Sequence, residues 1–284
     1  MGELRQDMKT RRFWKNYILK SFAVLGTIVA VIRIMVLFFP ARAELLDGIS
    51  FVVILFSSLA VGLYLNWPNP IQAEYSSPKT KIKIVKGDIF SQSGNIVIGV
   101  CNTFDTETPH IIERKSLLGQ AIDKLYEGSW KELDKQIGDA LVGKVPVSHI
   151  EKEGKKEKYE IGTALTVRQG GKKIYLSAYA DMDKNNKASS QIETLTKSLF
   201  DLWAEVTTKG NGQPVSISPW GGGLSRISGV LPAQDSIRLI ILSYMFCSRK
   251  EKVSDELTIV VPDDQFKKLD RLELQAFLSS LRSS

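Results

Sequence analysis

The chain has 284 residues, room for one large domain or two small ones, with 43% hydrophobic residues, 24% charged residues and a formal net charge of +7. Its only cysteines, Cys101 and Cys247, exclude a disulfide framework and place the folded part in a reducing compartment. His110 and His149 are the only histidines, and neither has metal-ligand spacing, so no metal and no cofactor is expected.

Most of the positive charge is local. Residues 1–20 hold Arg5, Lys9, Arg11, Arg12, Lys15 and Lys20 against Glu3 and Asp7, a balance of +4 out of +7. Beyond them only Lys155, Lys156 and Lys158 cluster. A basic head of this kind flanks a membrane segment rather than marking a nucleic-acid footprint, and no nucleic-acid partner is expected.

Residues 17–39 form an apolar stretch with Lys20 near its start and one further charge, Arg33, in its outer part, and residues 48–65 carry no charge at all. About 20 apolar residues cross a bilayer core of roughly 30 Å, so both stretches qualify as spans, about 17–39 and 48–66. A signal peptide fits less well, because the first run is too long, shows no clear cleavage site and is followed at once by a second. Between them Arg42 is opposed by Glu44 and Asp47, which by the positive-inside rule leaves the basic residues 1–16 in the cytoplasm. A two-span hairpin (17–67) then returns the rest of the chain to the same side, giving a multi-pass protein with both termini cytoplasmic. Trp14, Tyr17, Tyr64 and Trp67 sit where interfacial aromatics belong. Arg33 lies six residues before Phe39, about 9 Å along a helix axis. It either snorkels to the outer headgroups or faces a partner within an assembly.

Trp67-Pro68-Asn69-Pro70 stops the second span, and residues 68–80 read as a polar linker. From residue 81 to 284 the pattern changes. Strict alternation over Lys81–Lys86 predicts a strand, ended by Gly87-Asp88, and the apolar run Asn95–Cys101 predicts one covered on both faces. A helix follows over Leu117–Tyr126, then strands over Tyr159–Val167 and Lys173–Ala180. Ser190 and Glu193 suggest a capping box for a helix with Ile192, Leu195, Leu199, Leu202 and Val206 on one face. A strand at Val215–Ser218, a helix from about Pro232 to Cys247, a strand at Leu257–Val261 and a last amphipathic helix complete the chain. Strands interleaved with helices imply an α/β domain whose ligand sits in the loops beyond the carboxyl ends of its strands.

The unusual residue runs fall in those loops. Asp88, followed by Ile89, is either a strand-ending turn or a carboxylate able to accept from an exocyclic amine. Asn102 and Thr103 end the buried strand, where the Asn102 amide either caps the loop or holds a ribose hydroxyl. Leu117, Leu118, Gly119 and Gln120 open a helix, whose bare N–H groups favour an anion. Pro219, Trp220, Gly221, Gly222, Gly223, Leu224 and Ser225 join a strand to a helix, and glycines there let successive N–H groups form a phosphate nest. Arg226 stands near enough in sequence to add charge.

In order, "KIVKGDIF", "NIVIGVCNTFDT", "SLLGQAIDKL", "IGTAL", "SISPWGGGLS" and "TIVVPDD" resemble a macro domain, the fold that binds ADP-ribose. The resemblance implies a three-layer α/β/α sandwich with a mixed central sheet, here behind a two-helix transmembrane hairpin. It also implies roles: Asp88 and Ile89 at adenine, Asn102 by the distal ribose, the 117–120 and 219–225 loops on the diphosphate, and Phe266 as an adenine neighbour. Hydrolytic macro domains carry an Asn-Ala-Ala-Asn run and several glycines where this chain has Asn102-Thr103-Phe104-Asp105 and a long insert. No nucleophile–base arrangement replaces it, so no catalytic residue is expected.

A macro domain behind such a hairpin resembles the membrane effector of Thoeris antiphage defence, an abortive-infection system. That resemblance implies a bacterial inner-membrane protein that senses an ADP-ribose-derived signal, a histidine conjugate made from NAD by a TIR enzyme, then oligomerises and disrupts the bilayer. The rival expectations are a membrane-anchored ADP-ribosyl hydrolase and a passive ADP-ribose-reading module.

Overall fold

The computed structural model describes residues 2–40, 47–221 and 231–283. The chain forms two compact units, residues 1–69 with 270–273, and residues 70–269 with 274–284.

The first unit contains a short helix α1 (Gly2–Asp7) and two long ones, α2 (Arg11–Phe38) and α3 (Gly48–Leu65). Thr10 caps α2 by accepting from the Phe13 amide at 3.2 Å, and Asp47 caps α3 by accepting from the Ser50 amide at 2.8 Å. Both long helices are long and apolar enough to cross a membrane. Large side chains such as Phe22, Phe38, Ile49 and Phe56 point outward along them. Small residues bring the two together. A Cβ on Gly62 would lie 2.0 Å from Ser21 Oγ, so the backbones touch where neither carries bulk. The segment with Arg42 and Glu44, which bears on orientation, lies outside the described residues.

The second unit is built on an eight-stranded sheet. Its strands are β1 (Ile71–Ser76), β2 (Lys79–Lys86), β3 (Asn95–Cys101), β6 (Ala164–Gln169), β7 (Lys172–Met182), β8 (Ala188–Ser189), β9 (Val215–Ile217) and β10 (Glu256–Val261); the two-residue strands β4 (Ser148–His149) and β5 (Glu157–Lys158) pair separately. The order along the sheet is β1-β2-β10-β9-β3-β7-β6, with β8 on β7. Strands β2, β10, β9, β3 and β7 are parallel, and β1 and β6 close the two edges antiparallel. This is the mixed sheet of the macro-domain-like fold expected from sequence.

Each face is covered. Val97, Val215 and Ile259 pack under α6 (Ile192–Gly210) and α7 (Ala233–Lys250), whose Leu199, Trp203, Ile240 and Tyr244 are fully buried. Ile96, Ile98 and Leu176 pack under α4 (Leu117–Leu125) and α5 (Trp130–Leu141), through Ile122, Leu133 and Ile137. Strand β3 sends alternate residues to the two layers, which is why its sequence is apolar throughout. Trp203 stands edge-on to Tyr244 with ring centroids 5.3 Å apart and donates from Nε1 to Ser243 Oγ at 2.9 Å.

Three local readings change. Residues 71–76 form edge strand β1 instead of a linker. Gln72 exchanges hydrogen bonds with the Gln275 side chain on α9 (Arg271–Ser280), and the Tyr75 hydroxyl donates to Leu278 O at 2.8 Å. The cap of α6 is Gln191 with Thr194, one residue beyond Ser190 and Glu193. The last amphipathic stretch divides into α8 (Asp263–Phe266) and α9.

Replacing Trp203 by Ala removes an indole from the centre of one layer. The expected loss is about 3–5 kcal/mol, seen as a lowered melting temperature of the full-length protein in detergent.

Candidate functional site

Parallel strands must be joined by crossovers, so the chain leaves β2, β10, β9, β3 and β7 along one rim of the sheet. A cleft of about 550 Å3 opens at that rim. Gly99, Val100 and Cys101 of β3 and Tyr179, Ala180 and Met182 of β7 line it from below. One wall is the start of α4, with Ser116, Leu117, Leu118 and Gln120; the other is the loop after β9, Ser218 to Gly221. Pro262 and Gln265 beyond β10, Ile111 to Glu113 before α4, and Asn186 to Ala188 in the β7–β8 turn complete it.

The first wall is a helix N-terminus. Ser116 caps α4 by accepting from the Gly119 amide at 3.0 Å, and its carbonyl accepts from the Gln120 amide at 2.9 Å. Leu117 and Leu118 hold the first helical positions, where an α-helix has no partner for its N–H groups. The opposite wall turns sharply at Gly221, with φ at +89°, a conformation that favours glycine. Lys115 and Lys187 line the cleft and make it favourable to an anion; Glu113 pairs with Lys115 at 3.1 Å.

The family model of the Thoeris protein ThsA macro domain matches residues 82–262. The chain belongs to this family. The fold agrees: a glycine-to-valine variant of the Oceanobacillus iheyensis macrodomain with ADPR superposes with a TM-score of 0.51 at 12% identity, covering 75% of this chain and 100% of that one. The same macrodomain with ADP gives a TM-score of 0.51 at 10% identity, with the same coverages. No curated protein matches the chain.

Within this macro domain, the cleft brings together Leu117, Leu118, Gln120, Pro219, Trp220 and Gly221 from the residues singled out in sequence. Gly222, Gly223, Leu224 and Ser225, with Arg226, lie outside the described residues. The others are placed elsewhere. Gly119 is not among the residues that line the cleft; it lets α4 start close to the preceding loop, since a Cβ there would meet Glu113 O at 2.4 Å. Ile89 and Phe266 are buried in the two core layers. Asp88 lies two residues beyond β2, accepts from the Phe90 amide at 3.0 Å and pairs with Lys124 Nζ. Partial burial pushes its carboxyl up, but the Lys124 ammonium and the Phe90 amide outweigh that and hold it below its usual range.

Asn102 and Thr103 are buried in a polar knot. Asn102 Nδ2 donates to Asp181 Oδ1 at 2.9 Å, and its Oδ1 accepts from the Met182 amide at 3.2 Å. Thr103 donates to Asp105 Oδ2 at 2.6 Å. Asp105 also accepts from the Lys155 amide at 2.8 Å and pairs at 2.8 Å with Lys152 Nζ, both side chains being almost completely buried. Lys152 lies in the connection between β4 and β5, so this pair ties that hairpin to the end of β3. Tyr159 adds a second tie, its amide donating to Asn102 O at 2.9 Å.

Cleft residues that sequence reasoning passed over are Gly99, Tyr179, the β7–β8 turn and Gln265. A glycine inside the otherwise bulky run "NIVIGVC" was the signal for the first. Gln265 is next to Phe266, one position from the residue singled out. The turn left no such trace. Cys101 also lines the cleft, and burial, with the Asp105 and Asp181 carboxylates nearby, pushes its thiol up to about 12.

Two measurements follow. Lys152→Ala leaves Asp105 charged and uncompensated, with an expected loss of about 3–5 kcal/mol, while the double change Asp105→Asn, Lys152→Met loses much less than the sum of the single ones in thermal melts. Cys101 stays a thiol from pH 6 to 9, so iodoacetamide leaves it unlabelled by mass spectrometry over that range, its reactivity rising only as pH approaches about 12.

Proposed function

We propose that this protein is a signal-gated membrane effector: its macro domain, about residues 81–284, binds an ADP-ribose derivative in the rim cleft. The observation that carries this is the pairing of a helix N-terminus with the Ser218–Gly221 turn across one cleft. Together they offer backbone N–H groups to a diphosphate from two sides. Family membership supports the same reading, as do the ADPR and ADP in the similar macrodomains. By the Thoeris resemblance the signal is histidine-ADP-ribose, made from NAD by a TIR enzyme, and the 107–116 segment with the β7–β8 turn receives the group beyond the distal ribose. Asp88 receives the adenine amine, exchanging its contact with Lys124.

The helices α2 and α3 form a hairpin in the bacterial inner membrane, with both termini in the cytoplasm and residues 1–16 on the anionic inner leaflet. Ligand binding favours an assembled state, and assembly of the hairpins breaches the bilayer. A ligand acts in this way only through tighter binding to the assembled form than to the resting one. The domain acts by binding, not turnover: the Asn102 amide is engaged by Asp181 and Met182, and the Cys101 thiol is held protonated.

Calorimetry of the full-length protein in detergent is expected to give heat with ADP-ribose and tighter binding with histidine-ADP-ribose. Asp88→Ala weakens both about tenfold (~1.4 kcal/mol). Gly222→Val, in the glycine run that the sequence reads as a phosphate nest, abolishes binding with the melting temperature kept. In cells that make the signal, the wild-type protein depolarises the inner membrane and Gly222→Val does not. Binding without depolarisation would leave a passive reader, and release of free ADP-ribose from ADP-ribosylated protein would mark a hydrolase.

A further inference from the structure

Trp220 is 4% exposed and its Nε1–H has no hydrogen-bond partner among the described residues. The contrast with Trp203 is direct, since that indole is equally buried and donates to Ser243. A buried donor left unmade is unfavourable, and native structures keep few of them.

The surroundings show why this one is kept. The Trp220 ring stacks on Tyr179, centroids 4.7 Å apart and planes at 18°, which fixes the direction of the indole edge. Below it Gly99 has no side chain. A Cβ there would stand 3.1 Å from Nε1 and 2.5 Å from the Tyr179 ring. Gly99, Tyr179 and Trp220 all line the cleft, so the buried donor lies against the cleft wall. Lys187, and Lys115 paired with Glu113, leave the same cleft lining one net positive charge.

We infer that the Trp220 indole N–H is a ligand contact, a fixed donor for a ribose or phosphate oxygen of a sugar-diphosphate ligand. The inference rests on the ADP-ribose reading above and adds to it a side-chain donor. The stack holds the donor in position before the ligand arrives, so little ordering accompanies the bond. Selectivity follows from the same geometry: a ligand lacking an oxygen at that point leaves the N–H buried and unmade.

Trp220→Phe keeps the stack on Tyr179 and removes the donor. In full-length protein in detergent, with ADP-ribose as the probe, calorimetry is expected to show affinity reduced roughly five- to twenty-fold. The melting temperature of the unliganded variant stays level or rises, because an unmade buried donor has gone. Equal affinity in the two proteins overturns the inference and leaves the ADP-ribose reading intact. No heat from the wild type with either ADP-ribose or its histidine conjugate overturns both. Should the variant not fold, ¹⁵N-labelled wild-type protein gives the second readout. The indole N–H resonance remaining after those of Trp14, Trp67, Trp130 and Trp203 are assigned by their own Phe substitutions moves downfield on saturation with ADP-ribose. An unmoved resonance overturns the inference.

Discussion

Parallel pairing is the constraint on which the second unit depends. Strands β2, β10, β9, β3 and β7 run the same way, so none can be joined to its neighbour by a tight hairpin. Each crossover begins at the same rim, and the residues free to vary there are gathered from distant parts of the chain. Cys101, Tyr179, Trp220 and Pro262 are far apart in sequence and line one cleft. The core supplies the rigidity that keeps them in place. Helices α6 and α7 bury Trp203 and Tyr244 on one face, and α4 and α5 bury Ile122 and Leu133 on the other. A cleft standing on two packed layers needs little rearrangement to receive a ligand.

The β4–β5 hairpin makes a second demand on the same rim. A buried ion pair gains little over a pair of apolar residues, but removing one member leaves a charge in a medium that cannot solvate it. The Asp105–Lys152 pair therefore acts as a lock more than as a source of stability. It holds the β4–β5 hairpin to the end of β3, with Thr103 and the Lys155 amide taking the remaining carboxylate lone pairs. The loop that carries Asn102 is then fixed from both sides, since Tyr159 and Met182 bond to it as well. Polar residues that looked available as ligand contacts are engaged in building the rim.

Elements with one dominant physical cause were legible in sequence. The apolar run of β3, the apolar face of α6, the two long apolar helices, the helix opening at 117–120 and the loop at 219–221 all follow from period, burial or glycine chemistry. What failed was whatever depended on a partner distant in the chain. Strand β1 looked polar because half of it faces solvent, and its other half is paid for only by β2 and α9. The two readings left open for Asn102 could not be separated without Asp181, a residue 79 positions away. Tyr179 gave no signal at all, because its place in the cleft is set by its stack on Trp220. The cap of α6 slipped by one residue, since Gln191–Thr194 closes the same reciprocal pattern that Ser190–Glu193 spells.

The same distinction bears on reading against turnover. A hydrolase must leave a polar group or an activated water poised at the bond it breaks. At the end of β3 the carboxylates of Asp105 and Asp181 are both committed, the first to Lys152, the second to Lys158 at 2.6 Å and to the Asn102 amide. Those charges also disfavour the Cys101 thiolate, the one nucleophile that β3 offers to the cleft. A proposed sensor gains from that arrangement. Its ligand must persist long enough for assembly, and residence lengthens when every contact holds and none reacts. In the proposed sensor, the cleft corner at Gly99, Tyr179 and Trp220 would serve the first requirement and the locked rim beside it the second.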